Sequence, residues 1–234
     1  MGDTRVALIM AGGSGIGAGA ARHLAAQGFE VGILSKSGKG EALAEELGGV
    51  GVTGSNLETA DLKRLVDAAL AQWGRVDVLV NSAGHAPKAD LLDLSDEDWH
   101  LAMDILLMNV IRPTRLVTPA MIAQGGGAII NISSFATFEP DLQFPTSGVF
   151  RSGVASFAKM FSDRYATDNL RMNNVLPGFI DSLPEKDDRR ARVPMGRYGT
   201  VSEVAALVGF LASDEAAYIA GENIRIDGGL TRSL

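Results

Sequence analysis

The chain of 234 residues carries a formal charge of −7, with 46% hydrophobic and 21% charged residues. This length and apolar fraction suit one buried core, so we predict a single domain over residues 1–234. The acidic balance, without a basic stripe, argues against nucleic acid as a partner. Cysteine is absent, which excludes disulfides and thiolate catalysis. The first apolar run is too short to cross a membrane. We therefore expect a cytoplasmic protein that binds no metal and no membrane.

Short apolar runs alternate with amphipathic segments of helical length along the whole chain, without a linker, low-complexity tract or internal repeat. This alternation predicts a Rossmann-type, doubly wound parallel sheet with helices on both faces. Residues 178–194 interrupt it with a polar, charge-dense segment, which favours a substrate lid, although an ordinary solvated loop fits the same pattern. The predicted strands are residues 6–10, 31–34, 50–53, 76–81, 128–133, 172–176 and 223–226.

The first predicted strand leads directly into a glycine-rich turn and then into a helix that we expect to begin near Ala18. Such a turn lets the backbone bend sharply and brings a pyrophosphate close to amide N–H groups at the positive end of a helix. A plain tight turn is the alternative, but this turn opens a chain-long series of strand and helix units. We therefore predict a dinucleotide-binding turn made of Ala11, Gly12, Gly13, Ser14, Gly15, Ile16 and Gly17.

The residues after the second strand indicate which dinucleotide binds. An acidic side chain there binds the ribose 2′-hydroxyl of NAD, whereas a basic one accepts the 2′-phosphate of NADP. The sequence reads Ser35-Lys36-Ser37, with no acid. Lys36 and the two hydroxyls favour NADP(H), with NAD as the alternative, unless Lys36 only ends a solvated loop.

From residue 6 to residue 229 the chain resembles the short-chain dehydrogenase/reductase family. Residues 10–17 are similar to the family's Thr-Gly-x-x-x-Gly-x-Gly turn, with Gly15 and Gly17 matching. Met10 replaces the threonine and Ala11 the first glycine, which removes a supporting hydrogen bond and adds a methyl group. We expect the turn to accept Ala11 provided that its φ is negative.

Further matches to the family imply roles for residues at the ends of later strands. Asn81-Ser82-Ala83-Gly84 resembles the Asn-Asn-Ala-Gly segment beside the adenine ribose. Asn109 matches a helix position that steadies a proton-relay water, a solvent-facing asparagine being the alternative. Ser134 matches the serine that hydrogen-bonds the substrate carbonyl. The implied cofactor contacts beyond the turn and residues 35–37 are Asn56, Leu57, Asn81, Ala83, Gly84, Arg151, Pro177, Gly178, Ile180 and Ser182.

The resemblance fails at the family's Tyr-x-x-x-Lys pair. Counting thirteen residues on from Ser134 reaches Ser147, and the lysine position holds Arg151. A tyrosine beside an ammonium group can transfer a proton near neutral pH, whereas serine is a poor general acid and arginine stays charged. Arg151 can hold ribose hydroxyls or a substrate carboxylate. Loss of a positioned acid costs roughly 10²–10⁴ in rate.

Other residues are candidates to supply the proton. Glu139 and Asp141 lie where the family lines its substrate pocket, and either carboxyl gains a raised pKa if it is desolvated beside phenylalanines; both are otherwise surface acids. His85 is a third candidate, with a structural role as the alternative. We assign Tyr198 to packing.

We therefore expect an NADP(H)-dependent oxidoreductase acting on a small carbonyl, alcohol or imine substrate, with Asn109, Ser134, Ser147 and Arg151 forming an altered active site. An iminium suits such a site, because its reduction places no proton on oxygen. Two alternatives remain: a non-redox enzyme resembling halohydrin dehalogenases, which carry Ser-Tyr-Arg, and a catalytically weak dinucleotide-binding sensor or inactive subunit. The C-terminal residues 226–229 resemble a family strand that packs between subunits, so we expect a homotetramer or a homodimer.

Overall fold

The computed structural model describes residues 4–233, so residues 1–3 and 234 of the predicted domain lie outside the described residues. Seven parallel strands form one sheet in the order β3-β2-β1-β4-β5-β6-β7. The strands are β1 (Val6–Met10), β2 (Glu30–Ser35), β3 (Val50–Thr53), β4 (Val78–Asn81), β5 (Gly127–Ile132), β6 (Leu170–Pro177) and β7 (Asn223–Ile226). The α-helices are α1 (Gly15–Ala26), α2 (Lys39–Glu46), α3 (Thr59–Trp73), α4 (Asp96–Met103), α5 (Asn109–Ala123), α6 (Pro145–Tyr165), α7 (Asp187–Arg190) and α8 (Val201–Ala212).

The predicted Rossmann-type parallel sheet is confirmed, although β2, β5 and β6 begin or end one or two residues from their predicted bounds. Two other differences have a clear structural reason. β4 begins at Val78, because the Val76 N–H donates to the Gln124 side-chain oxygen at 3.1 Å instead of joining the sheet. The first helix begins at Gly15, not near Ala18, because Ser14 is the extended residue that precedes it, with φ −163°. The turn therefore leads into the helix three residues earlier than the sequence predicts.

Helices cover both faces of the sheet, and alternate residues of β1 pack against the helices on opposite faces. Ala7 and Ile9 pack with α1 and α8, whereas Leu8 and Met10 pack with α3, α5 and α6 on the other face. All five β1 residues are 0% exposed. A fully buried large aliphatic side chain contributes roughly 1.5–3 kcal/mol, so this strand is a rigid support for the turn that follows it.

One asparagine on each of β4, β5, β6 and β7 occupies the same level of the sheet. The Asn81 amide donates to Asn131, Asn131 to Asn174, and Asn174 to Asn223, each at 2.8 Å. These side chains are aligned because their residues are register partners in neighbouring strands. Asn81 Oδ1, at the start of the row, accepts no hydrogen bond among the described residues. The three amide hydrogen bonds help to fix the register of the four strands.

The stretch Asp96–Ala123, which includes α4 and α5, is long and apolar enough to cross a membrane by length and composition. It is the only such stretch among residues 4–233. Val117 and Met121 within it are fully buried in the core beside α3 and β5. The stretch therefore packs as a core helix of this domain.

Candidate active site

A cavity of about 790 Å³ opens at the carboxyl ends of β1, β4, β5 and β6. The strand order reverses between β1 and β4, which is where open α/β sheets bind ligands. Four predicted site residues lie behind its lining, namely Gly12, Gly17, Asn81 and Asn109. The predicted residues that line it are Ala11, Gly13, Ser14, Gly15, Ile16, Ser35, Lys36, Ser37, Asn56, Leu57, Ala83, Gly84, Ser134, Ser147, Arg151, Pro177, Gly178, Ile180 and Ser182.

Close packing explains the glycines of the turn. A Cβ on Gly13 would lie 2.7 Å from the Ser35 hydroxyl, and one on Gly17 would lie 2.8 Å from the Ala11 carbonyl oxygen. Gly12 donates its N–H to the Leu34 carbonyl at 3.0 Å, which ties the turn to β2. Gly12 and Gly17 therefore shape the turn from behind, and the other turn residues face the cavity.

The condition on which the turn would accept Ala11 without strain, a negative φ, is not met, because its φ is +54°. The chain must reverse sharply between the end of β1 and Gly12, and the left-handed conformation achieves this reversal. An L-residue with a Cβ costs roughly 1–2 kcal/mol in that conformation, which glycine avoids. The alanine therefore introduces local backbone strain at the first residue of the turn.

At the end of β2 the three predicted phosphate-binding residues differ in availability. The Ser35 hydroxyl donates to the Ser37 carbonyl at 2.6 Å and accepts from the Gly40 N–H at 3.1 Å, so it serves the loop itself. Lys36 and Ser37 are exposed and line the cavity. Within the described part of the chain, no carboxylate pairs with Lys36. Its ammonium is thus free to meet an anion.

Asn109 is 1% exposed, which excludes the solvent-facing alternative. Its Nδ2 donates to the Ser82 carbonyl at 2.9 Å, and its Oδ1 accepts from Asn56 Nδ2 at 2.6 Å. A single π-helical turn, Asp104–Met108, immediately precedes it, and such turns often occur at functional sites. Asn109 therefore fixes the backbone after β4 and the Asn56 side chain from behind the cavity lining.

Ser147 and Arg151 lie one turn apart on α6 and meet at the cavity. Arg151 Nε donates to Ser147 Oγ at 3.0 Å, and its Nη1 donates to the Ile132 carbonyl at 2.8 Å at the end of β5. No carboxylate pairs with Arg151 among residues 4–233, and burial lowers its pKa to about 10. Because Ser147 Oγ accepts from the guanidinium, its own hydroxyl proton remains available to a ligand.

Ser134 begins the short 3₁₀ turn that follows β5. Its Oγ accepts a hydrogen bond from the Ala136 N–H at 3.2 Å, so the hydroxyl is held in place and its proton is available. Ser134, Ser147 and Arg151 line the same cavity as the glycine-rich turn. The geometry thus combines a glycine-rich turn with two hydroxyl donors and one partly buried cation.

Comparisons with known proteins agree with this geometry over nearly the whole chain. The family model described as enoyl-(acyl carrier protein) reductase matches residues 10–231. The chain belongs to the short-chain dehydrogenase/reductase family. It is 36% identical over 241 aligned positions to 3-oxoacyl-[acyl-carrier-protein] reductase FabG of Thermotoga maritima, covering 97% of this chain and 98% of that protein. It is also 36% identical to nodulation protein G of Rhizobium meliloti, with 97% and 96% covered.

A solved structure shows the same fold. L-Sorbose reductase from Gluconobacter frateurii, complexed with NADPH and L-sorbose, superposes with a TM-score of 0.91 at 26% identity. The match covers 99% of this chain and 98% of that one. The family resemblance in the sequence is thereby confirmed, and with it the assignment of this short-chain dehydrogenase/reductase as an NAD(P)-dependent oxidoreductase.

Within this family member, the two carboxyl groups considered as proton donors point elsewhere. Glu139 accepts from the Arg232 and Ser233 backbone N–H groups, at 2.7 Å and 3.3 Å. Burial raises the pKa of Asp141, but hydrogen bonds from the Gln143 N–H and the Arg192 guanidinium outweigh this effect and lower it. Neither residue lines the cavity. The expectation of a raised carboxyl pKa is wrong for Asp141, because it is ion-paired at 2.8 Å with Arg192.

His85 and Tyr198 both line the cavity but differ in burial. His85 is exposed, at the segment that follows β4. Tyr198 is 4% exposed and stacks on Phe179 with ring centroids 5.6 Å apart. Its hydroxyl accepts from the Lys186 N–H at 3.2 Å. The packing role predicted for Tyr198 agrees with these contacts, and the ring also forms part of the cavity lining.

Residues 178–194 of the short-chain dehydrogenase/reductase chain lie beside the cavity. Ile180 pairs with Gly199 in an isolated parallel bridge, and Phe179 and Val193 are buried. The charged middle of the segment, including most of α7, is exposed. Both ends are therefore anchored, and the lid motion stays a prediction.

Two cations that line the cavity were not predicted as site residues, namely Lys88 after β4 and Arg189 in α7. Arg189 lies in a charge-dense run that the sequence presents as a solvated surface. Its neighbour Arg190 does not line the cavity. Arg189 and Arg190 are consecutive on a helical turn, so their side chains point in different directions. The sequence alone does not say which of the two directions faces the cavity.

Proposed function

We propose that the chain is an NADP(H)-dependent oxidoreductase acting on a small carbonyl, alcohol or imine substrate with an atypical active site. One observation carries the proposal: a single cavity joins the glycine-rich turn and Lys36 to the Ser134, Ser147 and Arg151 side chains. A dinucleotide that extends from Lys36 toward α6 would place its reactive end among those polar groups.

The residues at the turn fit a dinucleotide phosphate. Gly13 and Gly15 face the cavity without side chains, and the exposed Lys36 ammonium has no carboxylate partner in the described ranges. The complex of L-sorbose reductase with NADPH supports the same cofactor here. When bound, NADPH supplies the hydride, and the protein supplies position and charge.

Around the substrate, Arg151 provides the main electrostatic contribution. A fixed, partly buried positive charge stabilises negative charge that develops on a carbonyl oxygen, and it needs no reorganisation to do so. The Ser134 and Ser147 hydroxyls are each held by a hydrogen bond and can donate to the same oxygen. Because serine is a weak acid, we propose that water in the open cavity is the net source of the proton.

An imine substrate avoids protonation on oxygen, but its charge matters. A simple iminium cation would meet the unpaired Arg151 guanidinium, which is repulsive at short range. A neutral imine, or one whose positive charge is balanced by an anionic group, avoids this repulsion. The site therefore favours carbonyls and charge-balanced imines over simple iminium ions.

Binding and turnover can be measured separately. NADPH and NADH are titrated into the purified protein while nicotinamide fluorescence is followed, and ketones, aldehydes and cyclic imines are then added to the complex. We expect NADPH to bind more tightly than NADH and at least one substrate to be reduced. Absence of binding by either nucleotide would refute the proposal.

The missing tyrosine and lysine favour a second candidate, a dinucleotide-binding sensor or inactive subunit. NADPH binding without turnover across the substrate panel would support this second function. A halohydrin dehalogenase-like reaction is less well supported, because the glycines of the dinucleotide turn persist beside Arg151. The lid at residues 178–194, a homotetramer or homodimer, and a cytoplasmic location remain predictions.

A further inference from the structure

Two cations, which we call the outer cation pair, line the cavity on the side of Phe144 and consist of Lys88 and Arg189. Lys88 Nζ lies 4.4 Å from the centroid of the Phe144 ring. The Arg189 guanidinium carbon lies 5.4 Å from the centroids of both Phe144 and Phe179. The two cations therefore share one aromatic surface inside the cavity.

Neighbouring arginines differ from this pair because they are neutralised. Arg190 pairs with Asp187 at 2.7 Å, and Arg192 pairs with Asp141 at 2.8 Å. By contrast, the structure between residues 4 and 233 gives no carboxylate partner to Lys88 or Arg189. It also places no aspartate or glutamate in the cavity lining.

The outer cation pair carries an electrostatic cost. Arg189 Nε is buried and has no hydrogen-bond acceptor in the described structure. The pKa of the Lys88 ammonium is lowered by partial burial and by the positive charges of Arg189 and Lys186. Buried polar groups are normally paired, so an unpaired guanidinium edge beside a second cation calls for a ligand that completes it.

We propose that the outer cation pair binds a carboxylate on the substrate, so that the enzyme acts on a small carbonyl or imine compound that also bears a carboxylate. This inference rests on the proposed function and adds the substrate class. A guanidinium presents paired N–H donors in a planar fork that matches the two oxygens of a carboxylate. Phe144 and Phe179, which contact the Arg189 guanidinium, and Leu183 also line the cavity and would contact the apolar body of such a compound.

The negative charge of the proposed carboxylate also offsets the repulsion between an iminium group and Arg151. A carboxylate balances the positive charge of an iminium group, so a zwitterionic substrate would meet the cavity without net repulsion. For a ketone, the carboxylate would anchor one end while the carbonyl approaches Ser134 and Ser147. In both cases the outer cation pair would fix the orientation of the substrate, and Ser134 and Ser147 would contact its reacting group.

The test compares two probes of similar size and shape, the anion 3-phenylpropanoate and the neutral amide 3-phenylpropanamide. Their dissociation constants are measured by calorimetry on the full chain, with and without NADPH. We expect the carboxylate to bind at least about tenfold more tightly than the amide, because a hydrogen bond to a charged group is worth roughly 1.5 kcal/mol or more. Lys88→Met and Arg189→Met should each remove most of this preference.

Arg190→Met is the matched control, since it removes an ion-paired arginine next to Arg189 that does not line the cavity. It should keep the preference for the carboxylate, and circular dichroism confirms that each variant is folded. Equal affinity of the two probes in the unmodified protein would overturn the inference. It would also be overturned if Arg189→Met and Arg190→Met lost the preference for the carboxylate probe to the same extent. Failure of NADPH to bind or to reduce any substrate would refute the proposed function instead, and the measurements without NADPH would still decide the carboxylate site.

Discussion

Replacement of Arg151 by methionine should abolish turnover with little effect on stability. Burial lowers the pKa of this guanidinium to about 10. The side chain is only partly buried and lines an open cavity, so water screens its charge. At roughly 1.4 kcal/mol per pH unit, the charge costs at most about 3.5 kcal/mol at every pH below about 10, where the folded-state group is charged. The cost decreases only as the pH rises above that value.

Two hydrogen bonds offset this cost, because Arg151 donates to Ser147 and to the Ile132 carbonyl. Arg151 is a charged donor, so the loss of these bonds removes roughly 1.5–3 kcal/mol each. The two effects nearly cancel, and we expect Arg151→Met to change the free energy of unfolding by no more than about 1 kcal/mol. For a domain of this size that limits the change in Tm to roughly 2–4 °C.

Thermal and urea unfolding of the protein without cofactor measure this change, and NADPH-dependent reduction measures activity. Arg164→Met is the control, because Arg164 is an exposed arginine on the same helix α6. It should change stability by less than about 0.5 kcal/mol and leave activity unchanged. A loss of more than 1 kcal/mol in Arg151→Met would refute the reasoning and show that favourable contacts, not function, hold the cation there.

Three further substitutions test the turn, the cofactor preference and the altered pair. Ala11→Gly should relieve the left-handed strain and raise stability by about 0.5–1 kcal/mol in thermal unfolding, with tighter NADPH binding. Lys36→Ala should weaken NADPH binding roughly 10- to 100-fold and leave NADH binding unchanged, as measured by nicotinamide fluorescence. The double variant Ser147→Tyr with Arg151→Lys should increase ketone reduction at least about tenfold, since a positioned acid contributes roughly 10²–10⁴ in rate.

Two of these substitutions have a matched control variant, and the third has an internal one in NADPH binding. Ala26→Gly makes the same change as Ala11→Gly in an exposed position of helix α1 and should destabilise, so equal effects at both sites would contradict the strain argument. Lys39→Ala removes a nearby exposed lysine that does not line the cavity, and it should not alter the NADPH affinity. For the double variant, intact NADPH binding without a gain in rate would contradict the missing-acid explanation.

The sheet could be predicted from the sequence because its signal is local. The central strands are short apolar runs with both faces buried, and residues 6–10 have the same bounds in the sequence pattern and in the structure. The glycine-rich turn is equally local, since its residues are consecutive. The start of β4 was wrong because a distant side chain, Gln124, takes the Val76 N–H, and no local pattern encodes that contact.

The site was less predictable where it depends on chain segments that are far apart in sequence. The φ of Ala11 follows from how β1 meets Gly12, and the residue type alone suggests a negative value. The outer cation pair arises because α7 approaches the segment after β4, which brings Arg189 to Lys88. The alignment of asparagines across β4 to β7 likewise needs the strand register, which a single sequence does not specify.

The distribution of charge connects the cofactor proposal with the substrate proposal. A chain with a net charge of −7 lines this cavity with Lys36, Lys88, Arg151 and Arg189, and among the described residues no carboxylate lies there. A cleft lined by one sign of charge concentrates ligands of the opposite sign, so the cationic cavity favours anions although the protein as a whole is acidic. The proposed dinucleotide phosphate at Lys36 would occupy one end of the cavity. Lys88 and Arg189 lie beside Phe144 and Phe179, apart from the turn, so the proposed carboxylate of the substrate would supply a second anionic group there.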